Sequence, residues 1–159
     1  MFSILWKLRS TMVRLNESQR DHDEEVCRFA QVNAGWKIWS TCPTVANTVE
    51  LPKFHYRGEN YEPDVYFIEV VPYPGTHVPR PPHLLIEWIC EVETEESINE
   101  PHTHKQMRAF TDYGGNSKVV VLVPNDVLEQ MKANLERWGL TVIEVHPWGW
   151  DPYASISQS

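Results

Sequence analysis

The stretch "HLLIEWICEVETEES", His83–Ser97, combines the apolar run of a central β-strand with acids that such a strand should not tolerate. Because side chains alternate between the two faces of a strand, Glu87, Glu91 and Glu93 are predicted to project from one face. A buried carboxylate costs free energy unless a cation compensates its charge. The stretch therefore predicts an interior strand and poses the question of what compensates three acids on one of its faces.

The composition bounds the class of protein. A chain of 159 residues suits one ordinary domain better than two. The hydrophobic fraction of 42% and the charged fraction of 23% lie near globular averages, which excludes wholesale disorder. The net charge of -8 argues against a broad basic surface for nucleic acid, although a local groove could still be positive. No apolar run approaches the roughly 18 residues of a membrane span, so we expect no membrane partner.

The cysteines and the N-terminus bear on location. Cys27, Cys42 and Cys90 are odd in number and lack CxxC spacing, so we expect three thiols, no disulfide framework and no zinc knuckle. The first fifteen residues have too short an apolar stretch, and no small-residue cleavage site, for a signal peptide. They are interpreted as an amphipathic helix or as an extension before Met12. These features predict a cytoplasmic protein.

Apolar patterns and turn residues predict an alternating order of elements. Ser18 is a candidate N-cap, Pro101 suits the first turn of a helix, and Gly114 with Gly115 would end that helix. We expect helices over 18–33, 101–113 and 125–139, the last capped by Asn125 or Asp126, and strands over 36–40, 63–71, 84–93, 118–124 and 140–148. The alternation in the second half predicts an α/β fold with a mixed central sheet flanked by helices.

The chain is divided into three segments. Residues 1–17 are taken as an N-terminal extension, 18–147 as the α/β domain and 148–159 as a C-terminal tail. The proline-rich segment over 72–83 is predicted to be a stiff, irregular excursion rather than a linker. For the tail, which contains Trp148 and Trp150, packing on its own domain is favoured over a base-stacking platform, with a homodimer contact as a further alternative.

The acids are best explained by a divalent cation. Asp64 begins the strand before the opening stretch, and a ladder spacing of about 5 Å can bring it to Glu91. Mg²⁺ prefers oxygen ligands and is typically held by one or two carboxylates together with waters and a substrate phosphate. Glu87 lies further along the strand and is interpreted as a structural acid. His102 and His104 are interpreted as exposed polar residues, with a phosphate contact as the alternative.

Pro63-Asp64, followed by Glu91-Val92-Glu93 at the end of an apolar strand, resembles the bipartite signature of the PD-(D/E)XK nuclease superfamily. The resemblance covers about 18–146 and implies an αβββαβ restriction-endonuclease-like core. It also implies that Asp64 and Glu91 bind Mg²⁺ or Mn²⁺. Gln106, four residues before Phe110, is similar to the QxxxY element of some members. An acid on the first helix often joins such sites, and Glu25 is the candidate.

The sequence departs from that family where Glu93 takes the place of the usual lysine. In the family, the cationic lysine activates the attacking water. A glutamate lacks that positive charge, but Glu93 could bind a second metal or act as general base. The resemblance implies a metal-dependent endonuclease acting on DNA, with RNA as the less favoured substrate. The alternatives are an inactive nuclease-fold module that binds nucleic acid or protein, and a structural interaction domain. A basic groove beside Asp64 would favour DNA, and an acidic rim would favour the alternatives.

Overall fold

A computed structural model of the protein describes residues 2–72 and 83–154. Within these residues the elements follow an order that begins with a long helix and ends with a short strand. In order they are α1 (Phe2–Val32), β1 (Lys37–Ser40), β2 (Phe54–Tyr56), β3 (Glu59–Tyr61), β4 (Val65–Pro72), β5 (His83–Val92), α2 (Pro101–Asp112), β6 (Ser117–Val123), α3 (Leu128–Trp138) and β7 (Glu144–Pro147).

Five strands form a mixed sheet in the order β1-β4-β5-β6-β7. β4 is antiparallel to both β1 and β5, whereas β6 is parallel to both β5 and β7. Helices α2 and α3 supply the crossovers that parallel neighbours require. The predicted α/β class with a mixed sheet is confirmed, and so is the interior position of β5 between β4 and β6.

Helices cover both faces of this sheet, which explains the apolar character of β6. On one face α1 packs through Val26, Phe29 and Ala30 against a cluster that includes Phe67, Cys90 and Val120. On the other face α2 and α3 contribute Met107, Phe110, Met131 and Leu135 to a cluster with Ile89 and Val121. Successive residues of a strand therefore enter different cores, and a strand buried on both faces loses the polar alternation of a surface strand.

Helix α1 differs from the prediction because it begins at Phe2 rather than near Ser18. No Gly or Pro occurs between Phe2 and Val32, so nothing in the backbone stops the helix. The proposed boundary between residues 17 and 18 lies inside this helix. No helix among the described residues is long and apolar enough to cross a membrane.

A hairpin of β2 and β3 occupies a segment predicted to be a loop. Its turn places Arg57 at φ 49° and Gly58 at φ 81°, both in the left-handed region that two-residue hairpin turns use. Phe54 lies edge-on to the ring of Phe110 in α2, with 5.3 Å between the centroids. Strands of three residues are too short to show a periodic pattern, which is why the sequence did not predict them.

The C-terminal elements also differ in detail. The residues Asn125–Val127 form a 3₁₀ turn rather than a cap, and α3 has no side-chain N-cap hydrogen bond. In the described part of the tail, Trp150 stacks on His146 at 3.7 Å and lies 6.2 Å from Phe29, which agrees with packing on the domain. Most of the proline-rich excursion (73–82) and the last five residues (155–159) lie outside the described residues.

The cysteines correct the expectation of three thiols. Cys27 of α1 and Cys42, just after β1, form a disulfide with 5.0 Å between their Cα atoms. Cys90 is free and buried. The pairing depends on how closely α1 approaches the end of β1. The spacing of the cysteines along the chain does not predict that distance.

Candidate functional site

Asp64 and Glu91 meet at one end of the sheet. Val65 pairs with Cys90 in the β4–β5 ladder, so the next positions outward are Asp64 and Glu91. The backbone N–H of Asp64 donates to Glu91 Oε2 at 3.1 Å. The backbone N–H of Val92 donates to Asp64 Oδ2 at 2.9 Å. Each strand therefore holds the carboxylate of the other, and the two acids lie side by side.

Gln106 joins the two acids from α2. Its Nε2 donates to Glu91 Oε1 at 2.8 Å and to the Glu62 carbonyl oxygen at 3.2 Å. Gln106 and Glu91 are both buried, with 6% and 7% of their surface exposed. Both oxygens of Glu91 thus accept hydrogen bonds from neutral groups, which fix the direction in which the carboxylate points.

Glu93 lies at the same end of β5, immediately after the strand. It is 4% exposed, and the Ser97 hydroxyl donates a short hydrogen bond to its Oε2. Burial raises the pKa of Glu93 to about 7; the Ser97 hydroxyl opposes this shift, and the charge of Asp64 adds to it. Burial also raises the pKa of Glu91 well above its usual value, helped by the charges of Asp64 and Glu93. The charge of Asp64 therefore disfavours the charged forms of both Glu91 and Glu93.

A histidine, rather than the predicted acid, connects α1 to this site. His22 Nε2 lies 3.3 Å from Asp64 Oδ2, and its Nδ1 lies 3.0 Å from Asp23 Oδ1. The hydrogen bond with Asp64 raises the pKa of His22 to about 9, although burial opposes the shift. Because His22 is polar on a helical face that continues with Val26 and Phe29, it was the one signal in the sequence for this role.

Glu25 is placed elsewhere, which corrects its assignment to the site. Its Oε1 accepts hydrogen bonds from Arg28 Nη2 at 2.6 Å and from the backbone N–H of Gly149 at 2.9 Å. It is not among the residues that line the cavity containing Asp64. Glu25 instead ties α1 to the C-terminal tail, one helical turn further along α1 than His22.

Glu87 lies apart from the other acids of β5. Its Oε1 accepts hydrogen bonds from the hydroxyls of Tyr66 and Tyr113, the latter at 2.9 Å. These two tyrosines stabilise the half-buried carboxylate by hydrogen bonding. Glu87 is a structural acid, as the sequence suggested. The groups that compensate the acids therefore differ along β5. Tyrosines serve Glu87, whereas an amide, a hydroxyl, backbone N–H groups and the protonated His22 side chain serve the cluster of Asp64, Glu91 and Glu93.

A cavity of about 470 Å³ opens between α1, the ends of β4 and β5, and α2. Five carboxylates and two histidines line it: Asp64, Glu91, Glu93, Glu96, Glu100, His22 and His102. None of the described residues that line it is a lysine or an arginine. The rim beside Asp64 is therefore acidic, which was the feature expected to favour the alternatives to a DNA substrate.

The acids suit an open cation site better than a closed one. Within residues 2–72 and 83–154, no three His, Cys, Asp or Glu side chains are arranged so as to hold one ion. Mg²⁺ needs only one or two carboxylates when waters and substrate oxygens complete its shell. Asp64 and Glu91 are adjacent carboxylates whose directions are fixed by hydrogen bonds, which makes them the candidates for such an open site. Comparisons with protein-family models, with curated proteins and with solved structures find no match to this chain.

Proposed function

We propose that this protein is a metal-dependent phosphodiesterase of the PD-(D/E)XK type that cleaves DNA, with RNA as the less favoured substrate. The observation that carries the proposal is the reciprocal hydrogen bonding of Asp64 and Glu91 across adjacent strands, with Gln106 on Glu91. Two carboxylates held side by side in a cavity repel each other strongly, and a divalent cation is the ligand that relieves this repulsion.

The order and direction of the elements support the same family. Without the β2–β3 hairpin, the chain runs α1, β1, β4, β5, α2 and β6, which agrees with the αβββαβ order of a restriction-endonuclease-like core. In the sheet, β1 with β4 and β4 with β5 form the antiparallel pairs, and β5 with β6 forms the parallel pair. Helix α3 and β7 extend that core. By this resemblance, Asp64 and Glu91 would correspond to the metal ligands of the family's signature.

Asp64 and Glu91 would hold Mg²⁺ or Mn²⁺, with Glu93 as a neighbouring third acid. When bound, the cation supplies Lewis-acid polarisation of the phosphate and a water of lowered pKa. The protein's own groups fix the geometry: Gln106 orients Glu91, and the Val92 N–H holds Asp64 Oδ2. Glu93 would act as general base, because a pKa of about 7 lets its carboxylate accept a proton near neutral pH.

A second candidate is an inactive module of the same fold that binds a macromolecule. The observation that favours it is the acidic lining of the cavity, where Glu93 replaces the family's lysine and no lysine or arginine is present among the described lining residues. A homodimer and a cytoplasmic location stay predictions. The Cys27–Cys42 disulfide weighs against a strictly reducing compartment.

The test is cleavage of plasmid DNA and of labelled DNA and RNA oligonucleotides in Mg²⁺, Mn²⁺ or chelator. We expect metal-dependent cleavage by the wild type and none by Asp64→Ala. Glu25→Gln is the matched control, because it removes an acid of α1 that lies outside the cavity, and it should keep the activity.

Calorimetric titration with Mn²⁺ separates the two candidates. Metal binding that Asp64→Ala abolishes, without cleavage of any substrate, would establish the inactive module. If the wild type neither binds Mn²⁺ at millimolar concentration nor cleaves, the phosphodiesterase loses its basis, and a domain that binds a macromolecule without metal takes its place.

A further inference from the structure

A second charged surface lies on the outer side of α2. We call it the arginine face; it consists of Arg57, His104, Arg108, Arg137 and Trp138. The rings of His104 and Trp138 stack with 4.6 Å between their centroids, and Arg108 Nη2 donates to the Trp138 carbonyl oxygen at 2.8 Å. His104 and Arg108 are four residues apart, so they share one face of α2. That face points away from Gln106 and from the sheet.

The three arginines lack acidic partners. Arg108 bonds to a carbonyl, Arg137 Nη2 donates to Asn134 Oδ1 at 3.0 Å, and the Arg57 guanidinium lies 5.2 Å from the ring centroid of Tyr56. Within the described residues, no carboxylate lies at ion-pair distance from any of the three. By contrast, Arg20, Arg28 and Lys132 all pair with acids.

The local field of the arginine face is therefore positive although the chain has a net charge of -8. Burial lowers the pKa of His104, and the nearby charges of Arg108, Arg137 and Arg57 lower it further. Like charges that gather around one aromatic pair repel each other unless an anion neutralises them. Guanidinium groups match phosphate oxygens in geometry, and a half-buried tryptophan offers a surface on which a base can stack.

We propose that the arginine face binds the phosphate backbone of a DNA strand whose continuation enters the acidic cavity. The proposal rests on the proposed function for the nature of the substrate. Helix α2 connects the two surfaces, because its Gln106 reaches Glu91 while His104 and Arg108 lie on its other side. Affinity thus comes from a surface outside the cavity, and a cation held by Asp64 and Glu91 would neutralise the cavity itself.

The test measures binding separately from cleavage. Wild-type protein in chelator is titrated into a fluorescein-labelled single-stranded DNA of about 20 nucleotides, and anisotropy is followed from about 50 to 300 mM KCl. The variant is Arg57→Gln/Arg137→Gln, since both side chains are exposed. Its matched control, Arg20→Gln/Lys132→Gln, removes two exposed charges that pair with acids.

We expect the first variant to lose at least about five-fold in affinity at low salt. The slope of log affinity against log salt should fall by about 1.4, which is about 0.7 for each lost phosphate contact. The control should match the wild type. Thermal melts of all three proteins establish that the variants fold, and a defect of folding alone would not change the salt slope.

Three results would overturn the proposal. The first is unchanged affinity and slope in the Arg57→Gln/Arg137→Gln variant. The second is competition by polyglutamate as effective as that of unlabelled DNA, which would assign the face to an acidic protein. The third is tighter binding of RNA of the same sequence. DNA binding through this face without cleavage would refute the phosphodiesterase alone. Metal-dependent cleavage with unchanged KM in the variant would refute the arginine face alone.

Discussion

Glu93→Gln is the substitution that most directly tests the electrostatics of the site. It keeps the size of the side chain and an oxygen that can accept the Ser97 hydrogen bond, but it removes the charge. In the metal-free protein, the folded state holds a proton on Glu93 up to about pH 7, whereas the unfolded chain releases it near 4.5. The folded state therefore binds more protons between these values, and its stability falls as pH rises through this window.

The magnitude follows from the two pKa values. Each pH unit between them corresponds to about 1.4 kcal/mol, so the charged form of Glu93 costs the folded protein about 3 kcal/mol above pH 7. The side chain is almost completely buried, so solvent screens its charge little. Glu93→Gln should remove this cost. The free energy of unfolding of the variant minus that of the wild type should therefore be about 3 kcal/mol larger at pH 8 than at pH 4.

The assay is urea unfolding of both proteins at several pH values, with chelator and with Mn²⁺. With about 1 mM Mn²⁺ and a Kd of about 10 µM, the wild type should gain about 2.7 kcal/mol, and the variant should gain less. Parallel stability curves for wild type and Glu93→Gln between pH 4.5 and 8 would refute the argument from burial and repulsion. If Mn²⁺ does not change the stability of the wild type, the proposed metal site is refuted.

Three further predictions concern the groups around the site. His22→Gln should remove most of the loss of metal-free stability that the wild type shows as pH rises from about 7 to about 9, because the folded state holds the His22 proton against Asp64 in that window and Glu93 has already released its proton. Urea melts at pH 7 and 9 measure this loss, and equal losses in both proteins would contradict the prediction. Glu25→Gln should lower the free energy of unfolding by about 1–3 kcal/mol, because it weakens the hydrogen bonds to Arg28 and to the tail. It should leave the affinity for Mn²⁺ unchanged. Weaker Mn²⁺ binding in calorimetry would show that Glu25 belongs to the site. Replacing Cys27 and Cys42 by alanine should lower the free energy of unfolding by about 3 kcal/mol, as expected for a closed loop of about 15 residues. Reduction of the wild type should cause the same loss. A thermal melt that a dithiol reductant does not change would argue against the disulfide.

Local sequence was sufficient for most of the sheet and for α2. The wholly apolar run of β6 predicts a strand covered on both faces, and Pro101 with Gly114 delimits α2, because these residues act on their own backbone. The alternation along β5 likewise predicted that Glu87 and Glu91 share a face. It could not separate their roles, since that depends on whether tyrosines or an aspartate lie opposite.

The amino-acid sequence by itself predicted the α/β class and the interior position of β5, because both follow from apolar runs and the order of elements. The meeting of Asp64 with Glu91 was predicted from strand parity together with the resemblance to the PD and ExE signature. Only the tertiary structure decided that His22 rather than Glu25 reaches Asp64, that Cys27 meets Cys42, and that the arginines of three separate elements gather on α2. These contacts depend on how α1 crosses the sheet and how the hairpin and α3 pack beside α2. Distances between elements are set by the packing of the whole core, so spacing along the chain does not encode them locally.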